Sequence, residues 1–311
     1  MTQTDNNPFD LDAVQAYGAW RERKLANYPV SLDELVVPVE NPRALTDVER
    51  AAILQACGRA NMAVYTLAHS GEAMDKTLLA GLGAQFGLRD LDCHLYTDDD
   101  GISALQVSAQ RRQYEYIPYS NHAISWHTDG YYNPPQHRVL GMVLHCVRPA
   151  AQGGENRLLD HEIAYIRLRD ENPRHIAALM QADVMTIPAN VEEGIEIRPL
   201  QSGPVFSVDA QSGKLHMRYT ARTRSIDWKQ DADTQAAVRA LEAVLAEDLP
   251  QSFRHRLAAG QGVICNNVLH TRSAFEDDAP AGQGRLMYRA RFYQRVGPLR
   301  PGKSIIERNN K

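Results

Sequence analysis

The chain has 311 residues, with 34 basic and 38 acidic side chains, a formal net charge of −4 and a pI of about 6.3. Hydrophobic residues make up 43% and charged residues 23%, which is the composition of an ordinary globular protein and excludes wholesale disorder. The absence of a long lysine and arginine block argues against nucleic acid or an anionic membrane as a partner. We therefore expect a small-molecule or protein partner.

The first twenty residues carry acids and amides where a secretory signal would need a positive start and an apolar run. No stretch approaches the ~18 apolar residues that a membrane span requires. The cysteines Cys57, Cys93, Cys146 and Cys265 form no CxxC pair, so they indicate neither a zinc knuckle nor a disulfide framework. These features predict a soluble cytoplasmic protein, and a homo-oligomer is expected because most soluble oligomers are of that kind.

Residues 1–44 are polar and interrupted by prolines, which predicts an arm that wraps over a core without building one. Residues 45–311 are predicted to form a single domain. At its start, the capping-box spacing of Thr46 and Glu49 predicts a helix, MAVYTL a strand, and the stretch 75–86 a second helix.

From about Ile102 the pattern changes to short strands separated by turn residues, which is typical of two packed sheets. Helical insertions are predicted after Asp160, from Pro173, and from Thr234 to Leu249. The predicted fold is mainly β with helical insertions around a double-stranded β-helix, or jelly-roll, core. The strands are read in QVSAQ, YEYIPYS, AISWHTD, RVLGMVLHCV, DVMTIP, EIRPL, PVFSVD, LHMRYT, SFRHRL, GVICNN and LMYRARFYQRV.

The sequence SWHTDG holds the first candidate site. At a strand end, the two-residue period places His127 and Asp129 on one face. A second histidine would complete a facial triad, which leaves three positions of an octahedral metal open and is typical of non-haem Fe(II) oxygenases. His270 follows an apolar strand far downstream, and a jelly roll can bring such distant strand ends together.

The strand RLMYRARF carries Arg285, Arg289 and Arg291, whose spacing predicts that they share one face. If that face lies inside the barrel, the buried guanidinium groups need anions, and a dicarboxylate would be a natural bidentate partner. The alternative is an exposed face with surface partners.

Taken together, HTDGYY, LHCVRPAAQGGENRLLD, NNVLHTRSAF and RLMYRARF resemble, in order and spacing, the taurine dioxygenase (TauD/TfdA) superfamily of Fe(II)- and 2-oxoglutarate-dependent oxygenases. The resemblance runs from about Leu45 to Val296 and is weak between Asp183 and Gln251. The stretch from YSNHAISWHTDG to QGGEN looks most like the γ-butyrobetaine hydroxylase branch.

The resemblance implies that His127, Asp129 and His270 bind iron. It further implies that Arg285 binds the far carboxylate of 2-oxoglutarate together with Asn156, which stands where the family often has threonine. Because the carboxylate at Asp129 is present, hydroxylation or another oxidation is implied over halogenation.

Two family patterns bear on the substrate. Arg289 matches an arginine that faces the substrate anion in taurine dioxygenase, so it is assigned both to the cosubstrate site and to the substrate site. Tyr119 matches one wall of the aromatic cage that holds a trimethylammonium group in the γ-butyrobetaine branch. A zwitterion would satisfy both patterns, with its acid near Arg289 or Arg222. Trp126, Tyr131, Tyr132 and Tyr219 could add further walls, and the alternative is that they are ordinary core or sheet-face residues.

The predicted function is hydroxylation of a small anionic or zwitterionic molecule with formation of succinate and CO₂. Desaturation, demethylation, and C–S or C–N cleavage by the same oxidant remain open, as does a non-catalytic β-sandwich that holds a structural metal such as zinc. The helical insertions and residues 183–230 are predicted to supply a lid. Replacement of Asp129 by alanine is predicted to abolish turnover and leave the fold largely intact.

Overall fold

A computed structural model describes residues 7–68, 74–93, 100–110, 116–222, 226–278 and 283–299. Within these ranges the chain forms six α-helices and nineteen strands. The helices are α1 Val14–Ala26, α2 Asp47–Ala60, α3 Lys76–Ala84, α4 His161–Glu171, α5 Pro173–Leu179 and α6 Ala232–Ala246. The strands are β1 Val36–Val39, β2 Met62–Leu67, β3 Ile102–Leu105, β4 Ile124–His127, β5 Gly141–Arg148, β6 Gln152–Gly153, β7 Asn156–Leu159, β8 Met185–Ile187, β9 Asn190–Glu192, β10 Ile195–Arg198, β11 Gln201–Gly203, β12 Phe206–Val208, β13 Leu215–Met217, β14 Asp227–Trp228, β15 Ser252–His255, β16 Gln261–Cys265, β17 Leu269–Arg272, β18 Phe275–Glu276 and β19 Leu286–Phe292.

Two larger sheets form the centre of the molecule. The main sheet has the strand order β1-β2-β16-β5-β19-β3, and the smaller sheet has the order β15-β7-β17-β4. Strands distant in sequence are neighbours in both sheets, as in a jelly roll, and one continuous apolar core includes residues of both. The predicted fold class is confirmed.

Helices α4, α5 and α6 pack against one another, and α6 contacts the smaller sheet. The indole Nε1 of Trp126 in β4 donates to the carbonyl of Leu245 in α6 (2.9 Å), which fixes α6 to this sheet. The predicted helix starts are confirmed, since the Asp160 side chain caps α4 and Pro173 is the first residue of α5. None of the helices in the described ranges has the length and apolar character needed to cross a bilayer.

The N-terminal arm contributes to the core, in contrast to the prediction. Strand β1 pairs in parallel with β2 at the edge of the main sheet, with Val37 and Val39 buried. Pro38 is exposed between them, and an edge strand tolerates a proline because its outer side has no hydrogen-bonding partner. Lys24 of α1 is buried and lies 2.6 Å from a carboxylate oxygen of Asp160, which ties the arm to the domain.

Two predicted strands are not strands in the described residues. The sequence QVSAQ follows β3, which ends at Leu105, and the described part of YEYIPYS contains a 3-10 turn at Ile117–Tyr119. Pro118 lies inside this turn, where it cannot donate to a sheet. Residues 111–115 lie outside the described residues.

Candidate metal centre

The smaller sheet brings the two predicted histidine ligands together. His127 ends β4 and His270 lies in β17, and the two residues are direct partners in the antiparallel pairing of these strands. Their ring centroids are 4.1 Å apart. One ligand atom from each of His127, Asp129 and His270 lies within 4.8 Å of the others, so the structure assembles the three residues into a group that could hold one metal ion.

The backbone fixes the orientation of both imidazole rings. Nδ1 of His127 lies 3.0 Å from the carbonyl of Ser125, and Nδ1 of His270 lies 2.9 Å from the carbonyl of Val268. A carbonyl only accepts, so each Nδ1 carries the proton and each Nε2 keeps its lone pair for a metal. Burial lowers the pKa of His127 to about 3 and also lowers the pKa of His270, which keeps both rings neutral, as metal ligation requires.

The two carboxylate oxygens of Asp129 have different surroundings. Its Oδ1 accepts from Nη1 of Arg289 at 3.0 Å. Burial opposes its ionisation, but the Arg289 guanidinium, followed by His270 and Arg291, holds the pKa of Asp129 well below its ordinary value. Its Oδ2 is buried and has no hydrogen-bond partner among the described residues. Two neutral imidazoles and one anionic oxygen without a partner fit an Fe(II) ion with open coordination positions.

Asn267 holds the backbone of Asp129, and the sequence analysis missed it. Its Oδ1 accepts from the Asp129 N–H (2.8 Å), and its Nδ2 donates to the Asp129 carbonyl (2.9 Å) and to the Val139 carbonyl (2.7 Å). Its φ is +51°, a left-handed conformation that asparagine adopts more readily than most residues. The available signal was an asparagine pair between an apolar strand and His270.

Arg289 and Arg291 of β19 face the interior, as does Arg285 just before this strand. Arg285, Arg289 and Arg291 are 5%, 7% and 2% exposed, so the alternative of an exposed face is wrong. Arg291 forms a buried ion pair with Asp92 and donates to the Tyr132 hydroxyl at 2.8 Å.

Arg285 and Asn156, the predicted cosubstrate residues, line a cavity of about 200 Å³, including its open mouth, with Arg256 and Cys146. Gly153 and Gly154 lie at its wall, where a Cβ on Gly154 would lie 3.5 Å from Arg285 Nε. Burial lowers the pKa of Arg285 to about 10, while the Asp277 carboxylate opposes this shift. A buried guanidinium at the wall of this cavity is a group that an anion could bind.

Arg272, two residues after His270, is a further buried arginine beside this cavity. Its guanidinium lies 5.0 Å from the Phe275 ring and that of Arg285 lies 5.1 Å from the same ring. Arg272 also donates to the carbonyls of Ile117, Pro118, Ser120 and His122 and thereby holds the turn that carries the buried Tyr119.

Two of the aromatic residues considered for the cage, Trp126 and Tyr219, point away from His127. Trp126 points to α6, as its bond to Leu245 shows. Tyr219 precedes Thr220, which pairs with His127, so strand alternation places the Tyr219 side chain on the face opposite to His127. The Glu242 carboxylate of α6 contributes, after burial, to the raised pKa of Tyr219, which agrees with that placement.

Tyr131 and Tyr132 lie closer to the metal group. Their rings are 5.1 Å apart in an edge-to-face arrangement. The Tyr132 ring lies near two guanidinium groups of the protein itself, Arg198 at 5.8 Å and Arg291 at 5.9 Å. Arg222 is half-buried and its backbone N–H donates to Thr220 Oγ1 at 3.3 Å.

A cleft of about 440 Å³, including its open mouth, lies beside Asp129 and is lined by Tyr131, Arg138, His216 and Arg218 among others. Arg218 is occupied structurally, because it donates to the backbone carbonyls of Tyr131, Met185, Gln201 and Gly203. It therefore supports the wall of this cleft and has few donors left for a ligand.

The buried histidines make the metal-free protein acid-sensitive. Burial lowers the pKa of His127 to about 3 and of His145 to about 4, and it also lowers the pKa values of His161, His216 and His270. The unfolded chain has ordinary histidines with a pKa of about 6.5, so below that pH it binds protons that the folded chain does not. The contribution of these histidines to the free energy of unfolding is therefore fully present above about pH 6.5. It decreases as the pH falls, by up to about 1.4 kcal/mol per pH unit for each histidine. We expect urea unfolding of metal-free protein to show a loss of several kcal/mol between about pH 7 and pH 5, and a constant stability over this range would contradict the prediction.

Comparison with known proteins agrees with this site. The model of the "Taurine catabolism dioxygenase TauD, TfdA family" matches residues 37–291, and the chain belongs to this family. It is 31% identical over 161 residues to a uridine-5'-phosphate dioxygenase of Amycolatopsis sp., which covers 50% of this chain and 56% of that protein. It is 29% identical over 210 residues to a uridine-5'-phosphate dioxygenase of Streptomyces sp., covering 64% and 73%. The chain thus spans little more than half the length of the first of these relatives.

Solved structures share the fold. AAD-2 in complex with Mn(II) and N-oxalylglycine has a TM-score of 0.60 at 15% identity, covering 85% of this chain and 96% of that one. The non-heme iron oxygenase OrfP in complex with Fe and α-ketoglutaric acid has a TM-score of 0.58 at 18% identity, covering 94% and 92%. These likenesses show that the chain shares the fold of solved iron-dependent oxygenases.

Proposed function

We propose that the chain hydroxylates a small anionic molecule, with Fe(II) held by Nε2 of His127, Nε2 of His270 and Oδ2 of Asp129. The observation that carries this proposal is the geometry of these three residues. Their ligand atoms lie within 4.8 Å of one another, and the buried Asp129 Oδ2 lacks a partner among the described residues. With 2-oxoglutarate and O₂, the bound metal supplies the oxidation, in which one oxygen atom enters the substrate, the other enters succinate, and CO₂ is released.

The remaining residues bind and orient. Arg285 and Asn156 line a common cavity, and we assign them to the far carboxylate of 2-oxoglutarate. Arg289 holds Asp129 through Nη1, while its buried Nε has no partner among the described residues. That N–H is available to an anionic group beside the metal, so we assign Arg289 to the substrate as well as to the positioning of Asp129.

Buried charge favours a substrate anion over a substrate cation. Arg272, Arg285, Arg289 and Arg291 are all buried, whereas the buried acids paired with β19 are Asp92 and Asp129. The metal adds two positive charges that 2-oxoglutarate balances, so an excess of positive charge remains for the substrate.

The surroundings of the Tyr132 ring also favour an anionic substrate over a cationic one. Tyr132 already lies near two guanidinium groups of the protein, which would repel a trimethylammonium group. A zwitterion of the γ-butyrobetaine type is therefore the second candidate. A phosphate monoester is the first, because it carries up to two negative charges and because two relatives are named for a nucleoside phosphate. Arg222 and Tyr119 are the other residues that we assign to substrate contacts.

The test is succinate and CO₂ release by anaerobically purified protein supplied with Fe(II), 2-oxoglutarate and O₂. Nucleoside monophosphates, small sulfonates, carboxylates and betaines form the panel. We expect stimulated succinate release with an anionic compound, and mass spectrometry of the product separates a gain of one oxygen from desaturation, demethylation or cleavage. If 2-oxoglutarate fails to bind the metal-loaded protein and no succinate forms, the proposal is wrong; stimulation by betaines alone would overturn its anionic part.

A further inference from the structure

Asn267 lies next to the metal group without being one of its ligands. It is 1% exposed, and its side chain forms hydrogen bonds to both backbone groups of Asp129, with lengths of 2.8 Å to the N–H and 2.9 Å to the carbonyl. A side-chain amide that pairs with the N–H and the C=O of one residue fixes the position of that peptide as a neighbouring strand would. The third bond, 2.7 Å to the Val139 carbonyl, ties the same amide to the chain that follows the Asp129 turn.

This support is needed because the regular pairing of β4 ends before Asp129. The last strand residue is His127, and Gly130 turns the chain with a φ of +67°. Asp129 therefore lies in a turn, where the sheet ladder no longer holds its backbone. Asn267 stands just before β17, so its amide connects the turn that carries Asp129 to the strand that carries His270.

We infer that Asn267 is a positioning residue for the metal centre, which sets the affinity for the metal by holding the Asp129 backbone. The inference rests on the proposed role of His127, Asp129 and His270 as ligands. Loss of an outer partner of a metal ligand typically weakens metal binding by about 10- to 100-fold, and we expect a loss in that range when the Asn267 side chain is removed.

The chain offers a matched control in the preceding residue. Asn266 is also a buried asparagine, and its side chain donates to Asn61 Oδ1 (3.0 Å) and accepts from the Val296 N–H (2.9 Å). Among the described residues, the hydrogen bonds of its side chain go to Asn61 and Val296 and not to Asp129. Replacement of Asn266 by alanine thus removes comparable buried hydrogen bonds from the same segment and leaves the Asp129 turn supported.

The first variant is Asn267→Gly, because glycine adopts the left-handed φ without strain and so removes only the side chain. Dissociation constants for Mn(II) and Co(II) are measured by equilibrium dialysis on wild type, Asn267→Gly and Asn266→Ala, with thermal unfolding of each metal-free protein. We expect a 10- to 100-fold weaker metal affinity for Asn267→Gly, an affinity within about 2-fold of wild type for Asn266→Ala, and a lowered unfolding temperature for both variants.

A second variant, Asn267→Asp, keeps the acceptor for the Asp129 N–H and loses the two donated bonds. Its added negative charge would strengthen metal binding if charge alone mattered. Weaker binding in this variant therefore supports positioning even if Asn267→Gly does not fold. Metal affinity within about 2-fold of wild type in the variants of Asn267, together with lowered unfolding temperatures, would overturn the inference. Failure of wild type itself to bind either metal would instead overturn the proposed function.

Discussion

Replacement of Asp129 by alanine is expected to abolish turnover and, in contrast to the expectation from the sequence alone, to destabilise the fold. Loss of even an outer partner of a metal ligand costs about 10- to 100-fold in activity or affinity, so loss of a ligand is expected to exceed about 100-fold. The variant also leaves the Arg289 guanidinium buried without its anion, and breaking a buried pair in this way costs about 3–5 kcal/mol. Succinate release and urea unfolding measure the two effects separately.

The double variant Asp129→Ala/Arg289→Met separates chemistry from stability. Removal of both charges relieves the buried guanidinium, so we expect most of the lost stability to return while turnover stays absent. Arg291→Met is the matched control. It breaks the neighbouring buried pair with Asp92, and it is expected to lower stability by a similar amount while metal binding persists. If Asp129→Ala binds metal as wild type does, Asp129 is not a ligand.

The sequence was sufficient to predict the parts of this site that follow from periodicity. Alternation in SWHTDG predicted that His127 and Asp129 lie together, and the structure brings them together although Asp129 lies in the turn after β4. Alternation in RLMYRARF predicted a common face for Arg285, Arg289 and Arg291, and all three are buried. The jelly-roll class followed from the regular spacing of short strands. What joined His127 to His270 was the resemblance to a family, because strand pairing between distant segments depends on topology and is not encoded in local pattern.

Other features depend on which face of each sheet is covered. Trp126 and Tyr219 were considered for the substrate cage, but the Trp126 indole donates to a carbonyl of α6 and Tyr219 lies on the face opposite to His127. The direct bond between Arg289 and Asp129 joins two sheets, so no local spacing could predict it. Asn267 was missed because its role comes from a single left-handed residue whose partners lie more than a hundred positions away in the chain.

Replacement of Arg285 by methionine is expected to raise the KM for 2-oxoglutarate by about 100-fold. A charged hydrogen bond of this kind contributes about 1.5–3 kcal/mol, and each 1.4 kcal/mol corresponds to tenfold in affinity. Arg285→Lys is expected to recover only part of the loss, since an ammonium group cannot make the bidentate contact of a guanidinium.

Replacement of Arg256 tests whether Arg285 acts by direct contact with 2-oxoglutarate or only through its positive charge. It lines the same cavity as Arg285, but its guanidinium is engaged by the backbone carbonyls of Ala150 and Ala151. Arg256→Met and Arg285→Met each remove one positive charge. If only this charge mattered, both variants would raise the KM for 2-oxoglutarate equally. We expect a far smaller rise for Arg256→Met than for Arg285→Met in steady-state assays of succinate formation, because Nη2 of Arg256 already donates to two backbone carbonyls. Equal KM values for the two variants would assign the cosubstrate carboxylate to another residue.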